Sequence, residues 1–437
     1  MNFLTAIIQK IAKRLGLTLQ PKTGTKTDYG EAMSITATLC EGLTTLTFMD
    51  STCDIVGDSA RAEYLNKVKD YVWNDRLTPA CVTSLGTGDC LLKPNTDGVN
   101  VSVDIISNNN FVITESIGNI IKGVIILCDE IRQKTYTYQR YEYHTLKEIE
   151  GTPCVIIKQF AYNNGKEVPL SSISAWADMQ DEIIIPNVTQ LLFGRIKCPT
   201  VNRKEPNSVN GVPITYGAEE AIDYAKEAYR RFNQEFSDKE TLIFAPKRAF
   251  KVDEQTGEAR LPKGKERILV KLSQRNDGDG GIDVFSPEIR DASHQNAIEI
   301  NLKMIETLCG LSNNIITKPN ETYRNETDLK NSTNKTYAYM TKLRGIIESA
   351  MTDLMYGIDV LCNVNSVTPM GDYSITFDWS DELIEDTTEA FTQMLQLQDR
   401  RTMEDAEVRA WVTGESLEAA RMRIQEINEN NPVDVMM

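Results

Sequence analysis

Residues 218–236 read AEEAIDYAKEAYRRFNQEF, and the placing of their apolar side chains decides how the rest of the chain is organised. Ala218, Ile222, Ala225, Tyr229, Phe232 and Phe236 recur at steps of 4, 3, 4, 3 and 4, while Glu219, Glu220, Asp223, Lys226, Glu227, Arg230 and Glu235 fill the other faces. That spacing predicts a helix with one narrow apolar stripe, packed edge-on against one or two partners rather than deep in a core. Residues 289–311 carry a second helical pattern with a wider apolar arc: Ile298, Leu302, Ile305, Leu308 and Leu311. Between them lie short β-prone runs, Thr241–Ala245, Ala249–Val252 and Arg267–Leu272, with turn signals at Thr256-Gly257 and Asp277–Gly281. Two helices that leave and return to one body with a β-rich knob between them make a stalk.

Upstream, Ser59 to Trp73 reads as a helix on Ala62, Leu65, Val68 and Val72, ending near Asn74 before the breaker pair Thr78-Pro79. From about Cys81 to Ile185 the period changes. Val99–Ile105, Val124–Leu127, Thr135–Tyr141 and Cys154–Phe160 are rich in Val, Ile, Thr and Tyr, and turns at residues 95–98 and 163–165 separate them, which predicts an antiparallel sheet. Residues 198–213, with Pro199, Pro206, Gly211 and Pro213, read as a linker.

Downstream of the stalk, a polar loop (residues 312–327) leads into the longest element. Asn325 with Asp328 is a capping pattern, and Leu329, Thr333, Thr336, Met340, Leu343, Ile347, Ala350 and Leu354 keep strict 4–3 spacing. Helical as far as Leu361, this rod would be roughly 50 Å long, either a coiled coil or a strut lining a large assembly. A β-stretch (Tyr373–Trp379) follows, then three helices opened by Asp386 with Glu389, Thr402 with Asp405, and Ser416 after Gly414. The fold class is α+β.

The 437 residues are 41% hydrophobic and 25% charged, enough for two or three domains. No apolar run reaches the ~20 residues that span a bilayer. At the N-terminus, Phe3, Ile7, Ile8, Ile11 and Leu15 form an amphipathic stripe, and Lys10, Lys13 and Arg14 follow the first apolar residues rather than precede them, which argues against a signal peptide. The stripe suits docking within an assembly or association with a membrane. Nine cysteines without a C-x-x-C pair predict reduced thiols used as small core residues.

The net charge of −16 is unevenly spread. Residues 1–27 hold five basic and no acidic groups, residues 238–275 ten basic and six acidic, and residues 378–437 five basic and fifteen acidic. So acidic a chain lacks the basic surface of a tight nucleic-acid binder.

Catalytic patterns are missing. The two histidines, His144 and His294, have no ligand-spaced cysteine or carboxylate cluster, and neither a zinc motif, a nucleophile elbow nor a P-loop occurs. Residues 85–89 (Leu-Gly-Thr-Gly-Asp) look faintly like a phosphate loop but read as a β-turn. The paired acids Asp381-Glu382 and Glu385-Asp386 read as solvent-facing or helix-start charges rather than metal ligands. No enzyme activity, metal or cofactor is expected.

Ser174-Ala175-Trp176, the run from Leu191 through Gly194, Arg195 and Pro199 to Asn202, and Gly217, Ala221, Asp223, Tyr229 and Glu235-Phe236 on the helix resemble the portal proteins of tailed bacteriophages, of the siphophage type with Gram-positive hosts. So do Trp379-Ser380-Asp381 with Ile384 and Asp386, then residues 407–411 (Glu-Val-Arg-Ala-Trp) and Gly414-Glu415. The matches keep family order over most of residues 80–430.

The resemblance implies a portal fold: a β-rich wing (1–212), stem helices (213–237 and 288–311), a small β/α clip (238–287), a tunnel loop (312–327), a long tunnel helix with a returning strand (328–385) and a helical crown (386–437), short for the family. It implies a homo-oligomeric ring, usually of twelve subunits, at the capsid portal vertex of the virion, assembled in the host cytoplasm. Double-stranded DNA would pass through without sequence specificity. The partners would be the terminase large subunit, the head–tail adaptor, and the major capsid and scaffolding proteins, with no membrane. The expected DNA-facing residues are Asn313, Asn314, Lys318, Asn320, Arg324 and Asn325. Motor and adaptor docking falls to the basic clip residues Lys247, Arg248, Lys251, Lys263, Lys265 and Arg267, and subunit packing to Tyr229, Phe232, Phe236, Leu302 and Ile305. The alternatives are another phage structural protein, such as a tail or baseplate component, and an enzyme acting on phage DNA.

Overall fold

The computed structural model describes the chain from Phe3 to Asn430 apart from residues 18, 20–21, 23–25, 50, 99, 134, 239–241, 247–250, 253–258, 261–267, 272–282, 286–289, 313–314, 318–325, 380–393, 399, 401–402 and 414–415. It is a mixed α+β structure in two compact units, residues 1–377 and 378–437.

The first unit opens with α1 (Phe3–Leu15), α2 (Ile35–Phe48), β1 (Thr52–Val56), α3 (Ala60–Tyr71) and α4 (Leu77–Thr87). The amphipathic stripe of α1 is spent inside the chain. Ile7, Ile8 and Ile11 are buried against Ile125, Tyr141, Tyr143, Phe160 and Tyr162, so neither an assembly partner nor a membrane is needed to cover them. Each fully buried isoleucine contributes roughly 1.5–3 kcal/mol.

The expected break at Thr78-Pro79 does not occur. A π-helical turn over residues 72–76 carries the helix on, the Leu77 N–H donating to Val72 O, and Pro79 falls in the first turn of α4, where a proline is best tolerated. Leu77, Ala80, Cys81, Ser84 and Leu85 then form its buried stripe. Residues 85–89 are accordingly no β-turn. They are the end of α4, with Gly88 (φ +100) as the C-cap, its N–H donating to Ser84 O at 2.7 Å. A Cβ at Gly88 would meet the backbone of Gly211 at 2.7 Å.

Two sheets follow. β2 (Asp89–Thr96) is the middle strand of a three-stranded sheet between β3 (Val101–Ser107) and β10 (Gly194–Lys197), which explains its unbroken buried run. β4 (Phe111–Ile117), β5 (Ile120–Gln133), β6 (Tyr136–Ile149), β7 (Thr152–Asn163) and β8 (Lys166–Val168) form a meander, with β9 (Glu182–Pro186) also on β7. Every pairing in both sheets is antiparallel, as the sequence predicted. One face of the six-stranded sheet buries Phe111, Ile113, Val124, Ile126 and Val155 with Leu191, Leu192 and Phe193. Residues 198–213 lack helix and strand, but Val209 and Val212 are buried, so the stretch belongs to the core rather than acting as a tether.

The chain continues through α5 (Glu219–Asp238), a β module of β11 (Leu242–Pro246), β12 (Lys251–Val252), β13 (Ala259–Arg260), β14 (Ile268–Lys271) and β15 (Asp283–Phe285), α6 (Asp291–Leu308), α7 (Glu326–Val364) and β16 (Ser374–Asp378). At 39 residues α7 is about 58 Å long. Its stripe Met340, Leu343, Ile347, Ala350 and Leu354 is buried. The crossing with β10 is close enough that a Cβ on Gly194 would lie 2.2 Å from Ala350 O. Arg61 on α3 is fully buried and locks onto the end of α7, bonding Asp359, Asn363 (2.8 Å) and the Thr368 hydroxyl (2.7 Å). β16 pairs with β1.

The second unit contains the helices Asp405–Thr413 and Leu417–Asn430. Ser416 Oγ accepts the Ala419 N–H at 3.3 Å, the expected cap, and Arg421 pairs with Glu404 at 2.9 Å. Asp386, Glu389, Thr402 and Gly414 lie outside the described residues, as do Asp381, Glu382 and Glu385.

Candidate functional site

α5 and α6 pack against each other as an antiparallel pair, and burial along them is graded. Ala221, Ile222 and Ala225 on α5 are buried, as are Ile305 and Glu306 on α6 with Cys309 and Leu311 just beyond it. Toward the opposite end, Tyr229 is 41% exposed and Ile300 67%. The pair is rooted at one end and projects at the other.

At the projecting end a charge cluster clamps the helices. Glu235 accepts from the Arg290 backbone N–H at 3.2 Å, from its guanidinium at 3.2–3.3 Å, and from the His294 ring. Those donors, Arg290 foremost, hold the Glu235 carboxyl down to about 2. The Phe232 ring lies 5.8 Å from that of His294. The chain leaves α5 and re-enters α6 beside this clamp. Between these points β11 pairs in parallel with β14 and antiparallel with β15, so the module is a mixed sheet, with β12–β13 as a separate antiparallel pair.

At the rooted end lies a second cluster, which sequence reasoning missed. Glu306 is fully buried. Its Oε1 accepts the N–H groups of Ile315 and Ile316, each at 2.8 Å, and of Thr317 at 3.3 Å, while the Thr317 hydroxyl donates to Oε2 at 2.8 Å. The Ser312 N–H donates to Thr336 on α7 at 2.9 Å. Successive backbone N–H groups around one carboxylate make an anion nest, which here fixes both the exit from α6 and the start of the connection to α7. The one available signal was an acidic residue inside the apolar arc of the second helix.

No family model matches this chain, and no curated protein is significantly similar to it.

The expected residues distribute unevenly over this site. Tyr229 is exposed, Phe232 and Leu302 are half-buried, and Ile305 is fully buried within its own chain. Phe236 belongs to α5, but its side chain is outside the described set. Ile300, Met304 and Leu308, at steps of four on α6, form an exposed apolar stripe instead, with Tyr224 exposed on α5. Lys251 begins β12, whereas Lys247, Arg248, Lys263, Lys265 and Arg267 lie outside the described residues. So do Asn313, Asn314, Lys318, Asn320, Arg324 and Asn325.

His144 has a partner that sequence spacing did not suggest. Its Nε2 lies 2.8 Å from Glu142, which also meets Lys93 at 3.2 Å and Arg140. Burial pushes the Glu142 carboxyl up, yet Lys93, His144 and Arg140 together hold it well below the usual carboxylate range. Among the described residues no group of three or more His, Cys, Asp or Glu could hold a metal ion, and no helix is long and apolar enough to cross a membrane.

Proposed function

We propose that this chain is a phage portal subunit, which closes with further copies into a ring at the capsid vertex and forms the channel for DNA packaging and ejection. The carrying observation is the α5–α6 pair, buried at its root, exposed beyond it and bearing a small β module between its free ends. In this reading the pair is the stem and the module the clip, which docks the terminase motor and later the head–tail adaptor. The exposed stripe Ile300, Met304 and Leu308 meets a neighbouring subunit, and burying it on assembly contributes at roughly 25 cal/mol per Å².

Charge supports the same reading. A conduit must not hold its cargo, and at −16 per chain the ring leaves counterions on the DNA instead of releasing them into tight contacts. The connection from α6 to α7 begins at the Glu306 nest, a fixed root for a loop that faces the channel.

Negative-stain images and native mass spectra of the purified chain test the reading. A closed ring with a central hole is expected. A monomer at all concentrations overturns it, and an open filament or sheet favours a tail or baseplate component.

A further inference from the structure

A cleft of about 930 Å³ opens between the β4–β5 turn, the segment after β10 and the outer face of α7. Lys122 and Lys197 line it, both half-buried, and neither has an ion pair or hydrogen bond among the described residues. Burial, with the Arg195 guanidinium nearby, lowers the Lys197 pKa. The other charges of the cleft do not answer these lysines. Arg195 is neutralised by Asp89, which accepts its Nε and Nη2 at 2.9 Å each. Asp353 accepts from Gln190 at 3.1 Å, and burial raises its carboxyl pKa. Ile120 and Val201 are exposed in its lining, and Ile117, across the β4–β5 turn from Ile120, is exposed as well. Asp89, already paired with Arg195, offsets the burial of the Lys197 ammonium only in part, because its pKa stays lowered.

The complementary surface lies at the same end of the six-stranded sheet. Strand order places the β6–β7 turn two strand spacings, ~10 Å, from the β4–β5 turn. There Glu148, Ile149 and Glu150 are exposed, and neither glutamate has an ion pair or side-chain hydrogen bond among the described residues. Glu150 and Gly151 take φ of +50° and +81°, the backbone of a type I′ turn. The chain builds the same turn at Asn164-Gly165, where the Asn164 side chain accepts the Thr137 N–H at 3.0 Å and donates to Thr135 O at 3.1 Å. Glu150 occupies the same left-handed position without such a bond, a local cost that a use outside the chain would explain.

We infer that the Glu148-Ile149-Glu150 turn of one copy enters the Lys122/Lys197 cleft of the next, its carboxylates meeting the two ammonium groups and Ile149 packing on Ile117 and Ile120. Because turn and cleft are different surfaces, the contact can pass in one direction from copy to copy, the heterologous arrangement that closes a ring. The inference rests on the ring reading above and assigns it a second contact, far in sequence from α5 and α6.

The test uses the full chain in three forms: wild type, Lys122→Glu with Lys197→Glu, and Glu148→Lys with Glu150→Lys. Circular dichroism confirms that each is folded, and native mass spectrometry at low ionic strength follows assembly. Each double variant alone is expected to need a concentration at least about tenfold higher than wild type to assemble. Mixed in equal amounts they assemble again, because the acidic cleft of one takes the basic turn of the other, and the rings alternate in mass. Variants that assemble like wild type, or a mixture that fails while wild type closes rings, overturn the contact and leave the ring reading standing. A monomeric wild type overturns both. Rings of the cleft variant that assemble like wild type but lose affinity for a short DNA duplex assign the cleft to phosphate instead.

Discussion

The buried carboxylate of Glu306 and the hydroxyl of Thr317 lie 2.8 Å apart, joining the last turns of α6 to the start of the connection toward α7. The same carboxylate serves three backbone N–H groups, so its loss removes four hydrogen bonds. Glu306→Ala is expected to cost about 3 kcal/mol or more, and Glu306→Gln, which keeps one carbonyl oxygen for the N–H groups, about half as much. Denaturant midpoints at unchanged slope measure both. Equal losses would mean that the N–H groups do not depend on an oxygen at this position.

The clamp at Glu235 gives a pH dependence with a definite sign. Its carboxyl is depressed to about 2 in the folded chain, against about 4.3 for a free glutamate. The group therefore stabilises the fold fully above its unfolded pKa, and that contribution is lost as pH falls from about 4.5 toward 2. Wild type should melt above Glu235→Gln at neutral pH, with the gap closing across this window. A gap that stays constant to pH 2 would show that Arg290 and His294 do not set the carboxyl's protonation.

Periodicity made the larger elements legible and left local chemistry hidden. The 4–3 stripe from Ala218 and the rod through Ile347 were readable because one face of each must be apolar, whatever it packs on. The antiparallel meander was readable because β-branched runs alternate with turn residues. Pro79 misled because its effect depends on where the helix begins, which the π-turn at residues 72–76 decides. The stripe of α1 was legible as a face but not as a partner, since nothing local says that Tyr141 and Tyr162 will cover it. Arg140, Glu142 and His144 alternate on β6 as any solvated strand face would, and only Lys93, brought by another sheet, makes them a buried network. For the site, the pairing of α5 and α6 was legible, while Glu306 and the exposed Ile300 stripe were not. Both depend on which side of an apolar arc meets the body.

The basic segment between the two helices is expected to act after assembly. Lys247→Glu with Arg248→Glu should leave ring size unchanged in native mass spectra, because the rooted half of α5 and α6 is untouched. Co-sedimentation of those rings with the packaging motor should fall about tenfold or more, since reversing two charges mainly affects electrostatic encounter and pairing. Unchanged co-sedimentation would make this a solvated basic surface without a docking role.

Removal of residues 318–324 separates a loop that acts on DNA from one that holds the ring together. Ile315, Ile316 and Thr317 stay bonded to Glu306 and the body of α7 is retained, so folding and ring formation should match wild type. The deletion removes Lys318, Asn320 and Arg324, whose weak phosphate contacts would exchange as DNA advances. Assembled particles should then package less DNA or leak it after filling, read as the nuclease-resistant DNA per particle. Because few charges are removed, the defect should shrink as salt rises, where wild type loses those contacts too. Full packaging and retention at every salt concentration would exclude this loop from contact with the DNA.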